Sequence, residues 1–260
     1  MTNQILFTFL GGDRRMQAAR AVIEQAGLQT ADWPSPRCTH LVLPLPAFSG
    51  DLVRKGPPLA QVLPELGPDM TVLGGILAPH RKTLEDTGAK LLDYYNDEIL
   101  AAANAEITAE AAVSLAMEHL PTTLSGAECL VCGWGRIGQL LARKLAALGA
   151  RVTVAARKPK DLGMIGAMGF APLPMGQWQG LSQFRVVFNT VPAPILDRQA
   201  LLKTDPSCLL IELASGMVPV QERQYIRAGG LPGIYAPETA GTVIGKTILR
   251  LTGLSERSDL

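Results

Sequence analysis

The stretch from Glu128 to Arg157, ECLVCGWGRIGQLLARKLAALGARVTVAAR, constrains this chain more than any other. An apolar run leads into Gly133-Trp134-Gly135-Arg136-Ile137-Gly138. Then Ile137, Leu140, Leu141, Leu145 and Leu148 recur at helical spacing up to Gly149, and a second apolar run follows. A glycine triplet alone is a weak signal; placed between a strand and a helix it predicts a dinucleotide site. Gly133 permits the tight turn, Gly135 lets the backbone approach a pyrophosphate, and Gly138 lets the helix lie close to the strand. The free N–H groups of the helix start add partial positive charge. Trp134, Arg136 and Ile137 complete the predicted cradle.

The end of the second strand bears on cofactor choice. An NAD-binding unit places Asp or Glu there, for the ribose 2′-hydroxyl. This chain has Ala155, Ala156, Arg157, Lys158, Pro159 and Lys160, with no carboxylate before Asp161. A guanidinium with two donors suits a 2′-phosphate. Ala156, Arg157 and Lys158 therefore favour NADP, with NAD as the alternative.

Composition sets outer limits. The 260 residues suffice for one large or two ordinary domains, and 47% hydrophobic residues supply packed cores. A net charge of +1 argues against a nucleic-acid partner. No apolar run in the sequence reads as long enough for a bilayer, and Ile5–Leu10 is too short for a secretory signal. Four cysteines suit a reducing compartment, so a cytoplasmic location is expected. Cys129 and Cys132 form a C-x-x-C, but inside a strand positions three apart face opposite ways, and no metal site is predicted.

The chain reads as two α/β halves, each a doubly wound parallel sheet of Rossmann-like or flavodoxin-like type with a ligand cleft between them. Residues 1–103 form the first, with strands at Ile5–Phe9, Thr39–Leu43, Met70–Leu73 and Lys90–Asp93, and helices near Leu59–Leu66, Arg81–Thr87 and Asp97–Ala103. Residues 104–260 form the second, opened by a connector helix Glu106–Leu120 capped by Asn104 and closed by a helix from about Pro237 to Leu251. In such sheets ligands bind beyond the carboxyl ends of the strands. Four loops qualify: Gly11–Arg15, Asn189–Pro194, Glu212–Gly216 and Leu231–Gly241. Asn189, Thr190, Val191 and Pro192 stand either at the nicotinamide end of the cofactor or as caps of the next helix. Glu212, inside a strand, must be paired or functional. The catalytic candidates are Asn189, Thr190, Glu212 and Ser215.

The connector and the glycine triplet are similar to those of D-specific 2-hydroxyacid dehydrogenases, which use a late histidine as acid/base. His40, His80 and His119 all precede the triplet, so that chemistry is not expected. Asn189-Thr190 also resembles shikimate dehydrogenases.

A fuller resemblance is to the A subunits of dipicolinate synthase, dehydrogenase-like proteins of sporulating bacteria. It rests on Gly11-Gly12-Asp13 with Arg15, Leu43-Pro44, the Gly133–Gly138 motif, Ala146–Ala150, Ala156-Arg157, Asn189–Pro192, Leu213–Ser215, Leu231–Gly233, Ala236-Pro237 and Thr239–Gly241. The resemblance implies NADP-dependent oxidation of a tetrahydro- or dihydrodipicolinate to pyridine-2,6-dicarboxylate. The partner it implies is the flavoprotein B subunit. A homo-oligomer is compatible with it. A flat dianion needs cations or helix starts at both ends. Gly12, Asp13 and Arg15 from the first half, and Pro237, Thr239 and Ala240 from the second, are the expected substrate residues. The chain departs from the family at Gly216–Pro219, in a segment before Leu231 that reads as too short for a late strand, and at Glu238, where a lysine is expected. A catalytically reduced nucleotide-binding subunit or sensor is the alternative reading.

Overall fold

The computed structural model describes residues 5–214, 216 and 222–254. The chain divides into two compact units: Met1–Asn104 with Ala236–Leu260, and Ala105–Tyr235.

The first unit contains β1 (Leu6–Phe9), α1 (Arg14–Gln25), β2 (Gln29–Ala31), β3 (His40–Val42), β4 (Phe48–Ser49), β5 (Leu52–Val53), α2 (Leu59–Val62), β6 (Thr71–Gly74), α3 (Arg81–Glu85) and β7 (Lys90–Asp93). Its main sheet has the order β2-β1-β3-β6-β7, and all its strands run parallel. That is the flavodoxin-like order, with its topological switch point between β1 and β3. The short antiparallel β4–β5 hairpin lies between Pro46 and Pro57.

α4 (Glu98–His119) joins the units. The sequence predicts two helices here with a cap at Asn104; the structure has one continuous helix running through it. Alanines on both sides of Asn104 are strong helix formers and override the capping preference of a single Asn. By length and composition α4 is also apolar enough to cross a bilayer, contrary to the sequence reading. Its apolar surface is used internally: Ala109, Ala111, Ala112 and Ala116 lie in the core of the second unit, and half of its most apolar stretch is buried.

The second unit continues with β8 (Glu128–Cys132), α5 (Arg136–Ala147), β9 (Arg151–Ala156), α6 (Pro159–Ala167), β10 (Ala171–Pro174), β11 (Val186–Asn189), α7 (Arg198–Leu202), β12 (Leu209–Glu212), β13 (Gln224–Arg227) and α8 (Leu231–Tyr235). Its parallel sheet has the order β10-β9-β8-β11-β12-β13, which is the Rossmann order with a switch point between β8 and β11. β13 is the late strand for which the segment before Leu231 reads as too short; four residues suffice to pair with β12. Burial on both faces explains the unbroken apolar runs. Cys129 and Val131 enter one core, and Leu130 and Cys132 enter the other. The two cysteines thus face opposite ways, as strand geometry requires.

The final helix, α9 (Pro237–Leu251), closes the chain. The sequence reading places it in the nucleotide-binding half, but it packs with the first unit, against α1. Gly241 and Gly245 form the contact: a Cβ on Gly241 would overlap the Arg15 carbonyl, and one on Gly245 would lie 2.7 Å from the Val22 Cβ. Chain order does not reveal this, because small residues at i and i+4 are short of apolar area and carry little periodic signal.

Candidate dinucleotide site

The C-terminal ends of β8 and β11 adjoin at the switch point of the second unit. Gly133 follows β8 with φ of +110°, a conformation that side chains disfavour. A Cβ there would also meet Thr190 Oγ1 at 2.5 Å and the Val191 side chain at 2.9 Å. Gly138 is closed off by the turn that precedes α5, since a Cβ would overlap the Gly133 carbonyl. Gly135 differs from both. It is exposed, nothing lies within 4 Å of its Cβ position, and as N-cap it supplies no side-chain cap to α5. Two glycines are demanded by packing, and the third leaves open space at the N-terminal end of α5. That arrangement fits a pyrophosphate. Trp134 and Ile137 pack against the core beside it, with Trp134 edge-on to Phe170 at 6.0 Å, and Arg136 is exposed.

At the end of β9, Ala155 and Ala156 are buried and Arg157, Lys158 and Lys160 are exposed. Among the described residues, no carboxylate pairs with these three cations. Lys158 is the N-cap of α6 without a side-chain cap bond.

Asn189 ends β11 and is the register partner of both Cys132 on β8 and Glu212 on β12. Asn189 and Glu212 are almost fully buried. The Asn189 Nδ2 donates to the two Glu212 oxygens at 3.2 and 3.0 Å and to the Val191 carbonyl at 3.0 Å. Its Oδ1 accepts from the Val191 amide at 3.0 Å. Glu212 also accepts from the Ala214 amide at 2.8 Å. Thr190 Oγ1 donates to the Cys132 carbonyl at 2.9 Å. The helix after this loop is capped by Asp197, which accepts from the Ala200 amide, so Asn189 and Thr190 are not its caps. Pro192 is exposed. Ser215 lies outside the described residues. Gly216, where the chain departs from the family pattern, is buried, and a Cβ there would overlap the Ala193 backbone.

The substrate candidates fall together in the first unit. Gly12 has φ of +95°, and its amide donates to the Arg54 carbonyl at 2.8 Å. Asp13 caps α1 by accepting from the Arg15 amide at 3.0 Å. Burial opposes ionisation of Asp13, but the hydrogen bond and charge of Arg15 outweigh it and hold the carboxyl below its usual value. Arg15 is therefore not a free cation: its guanidinium pairs with Asp13 and donates to the Leu45 carbonyl at 2.6 Å. Pro237 occupies the first turn of α9, Thr239 is exposed and Ala240 is buried. Glu238 forms an exposed ion pair with Arg14 at 2.8 Å. Residue type alone does not single out Lys55. It is a non-glycine residue at φ of +54°, in a turn whose Gly56 backbone abuts Gly11. The flanking Arg54 and Gly56 are the only signal the sequence offers for such a turn.

None of the three histidines belongs to the dinucleotide loops. His40 stacks on Phe7, His80 meets the Gly50 carbonyl and His119 meets the Leu115 carbonyl. Burial pushes the Cys129 thiol up to about 12 and raises that of Cys132 further, aided there by the Glu212 charge. Neither is a poised thiolate. Among the described residues no cluster could hold a metal.

Residues 99–227 match the NAD-binding domain of the D-isomer specific 2-hydroxyacid dehydrogenases. The A subunit of dipicolinate synthase from Bacillus subtilis (strain 168) is 34% identical over 170 residues, 62% of this chain. The match spans 57% of that protein's length. The crystal structure of the dipicolinate synthase A subunit from Bacillus halodurans aligns with a TM-score of 0.86 at 25% identity, covering 98% of this chain and 99% of that one. The corresponding crystal structure from Bacillus subtilis aligns with a TM-score of 0.85 at 25% identity, covering 97% of each chain. The chain is thus similar to dipicolinate synthase A subunits in sequence and in fold, and it carries a nicotinamide-dinucleotide-binding domain. These likenesses support an oxidoreductase.

Proposed function

We propose that the protein is an NADP-dependent dehydrogenase that oxidises a tetrahydro- or dihydrodipicolinate to dipicolinate, in the role of a dipicolinate synthase A subunit. The observation that carries the reading is the open, uncapped cradle at Gly135 in a chain similar to such subunits along nearly its whole length. Gly133, Gly135 and Gly138 hold the pyrophosphate. Arg157, with Lys158, holds the 2′-phosphate of NADP. The Thr190–Pro192 turn lies beside the cradle, where the nicotinamide half extends. Bound NADP would accept the hydride. A hydroxylated tetrahydro substrate first loses water, and the resulting dihydro ring loses one hydride and one proton to become aromatic. Aromatisation supplies the driving force. Water or the substrate itself takes the proton, since no histidine is at hand. The flavoprotein B subunit is the proposed partner, and the cytoplasm the proposed location.

A second reading draws on the charges of the first unit. Arg15 is neutralised by Asp13, and Glu238 stands at the start of α9. Both weaken a dianion site and favour a nucleotide-binding subunit of reduced activity. The two readings separate when NADPH and dipicolinate are measured from enzymatically generated 4-hydroxy-tetrahydrodipicolinate, with and without the flavoprotein. Turnover lost in Thr239→Ala, with NADP affinity intact, supports the dehydrogenase. No turnover by the parent in either condition supports the second reading.

A further inference from the structure

We infer that Glu212 is a positioning residue: it locks the Asn189 amide and, through it, the turn that lies against the glycine cradle. It does not serve as the base of the reaction. The inference rests on the dinucleotide-site reading above.

Cys132, Asn189 and Glu212 occupy one row across β8, β11 and β12, the last row before the loops. Side chains of one row in a parallel sheet share a face, so Asn189 and Glu212 must meet there. A carboxylate only accepts hydrogen bonds, and it therefore fixes which end of the Asn189 amide turns toward it. With Nδ2 committed to Glu212 and to the Val191 carbonyl, Oδ1 is left to accept the Val191 amide. A flipped Asn189 would set its oxygen against both the carboxylate and the Val191 carbonyl, and its NH2 against an N–H. The carboxylate thus selects one amide orientation, and that orientation closes the Thr190–Val191 turn.

The turn has no room to drift. Thr190 Oγ1 is bonded to the Cys132 carbonyl, and Thr190 and Val191 both press on the position a Gly133 side chain would fill. Glu212 also holds the Ala214 amide of its own loop, and the Gly216 backbone packs on that of Ala193. One buried carboxylate thereby ties the loops after β11 and β12 together beside the cradle. Its oxygens are already accepting from Asn189 and Ala214 within a buried site, so they are spent on geometry rather than offered to a substrate proton.

The test uses Glu212→Gln and the exchanged pair Asn189→Asp with Glu212→Gln. In the exchanged pair the residue-212 amide can donate to the residue-189 carboxylate, which still accepts from Val191. Backbone amide exchange of the 186–193 segment reads the lock without cofactor or turnover. Glu212→Gln should raise exchange in that segment and weaken NADPH binding roughly tenfold, the loss of one charge-assisted hydrogen bond. The exchanged pair should recover most of both. In the flavoprotein-coupled assay, Glu212→Gln should keep the acidic limb of its kcat–pH profile. Unchanged exchange in Glu212→Gln, or loss of the acidic limb with NADPH affinity intact, overturns the inference. A parent that binds no dinucleotide would overturn the functional reading, and amide exchange would still decide the lock.

Discussion

The backbone of Gly241 lies directly on that of Arg15, with no room for a Cβ between α9 and α1. Gly245 repeats the approach one turn later against Ala19 and Val22. Gly241→Val should therefore be destabilising, with overpacking costing about 1–3 kcal/mol. For a chain of this size that lowers the melting temperature by roughly 2–4 °C per kcal/mol. Gly163→Ala is the control: it lies within α6 with nothing near its Cβ position, and it should be neutral or slightly stabilising. Equal melting temperatures for Gly241→Val and the parent would reject the contact.

What the sequence reveals and what it hides follow the same physics. β8, α5 and β9 are legible because apolar runs, helical spacing and glycine punctuation agree along one short segment. The place of α9 is not, because it depends on a contact between residues more than two hundred positions apart. Asn189 and Glu212 each stand out as candidates, but their pairing depends on strand order, which no local pattern encodes. Arg15 reads as a free cation for a similar reason: Asp13 is its neighbour in sequence, but the Leu45 carbonyl arrives from the loop after β3.

The glycines of the triplet should separate cleanly on substitution. A Cβ at position 135 has open space around it, so in Gly135→Val the fold and melting temperature should be retained while the side chain fills the pyrophosphate space. Gly138→Val drives into the Gly133 carbonyl and should lower the melting temperature as well. Calorimetry with NADP and thermal unfolding of both variants check this. A Gly135→Val protein that binds NADP like the parent would refute the cradle.

Stability should decline toward acid in two stages. Burial, helped by the Lys90 charge, holds the His40 imidazole below its usual value, so the folded state prefers it neutral. Stability from this group is complete above the unfolded value of about 6.5 and is lost as pH falls through the lower folded value. For Asp97, burial opposes ionisation, but the hydrogen bonds of Arg250 and the Leu100 amide outweigh it, and its carboxyl titrates low. Asp13 behaves alike. Their contributions are complete above about 3.9 and fade below it. Urea unfolding from pH 8 to pH 3 should show both declines, the first absent in His40→Gln and the second reduced in Asp97→Asn. A parent profile that stays flat down to pH 4.5 would show that His40 contributes nothing to the acid decline.

We predict that cofactor choice turns on Arg157. It stands exposed after β9, where an NAD-preferring unit keeps a carboxylate, and Lys158 and Lys160 follow it. A guanidinium on a 2′-phosphate is a charge-assisted contact worth about 1.5–3 kcal/mol, which is roughly ten- to a hundredfold in affinity. NAD lacks that phosphate and has nothing to lose. Arg157→Ala should therefore weaken NADP binding by that factor and leave NAD binding within about twofold. Added salt should erode the expected preference for NADP, because an exposed ion pair is screened. Titrating both dinucleotides into parent and variant at low and high salt tests the assignment. Equal losses for NADP and NAD would show that Arg157 acts on something the two share, and the preference for NADP would then need another source.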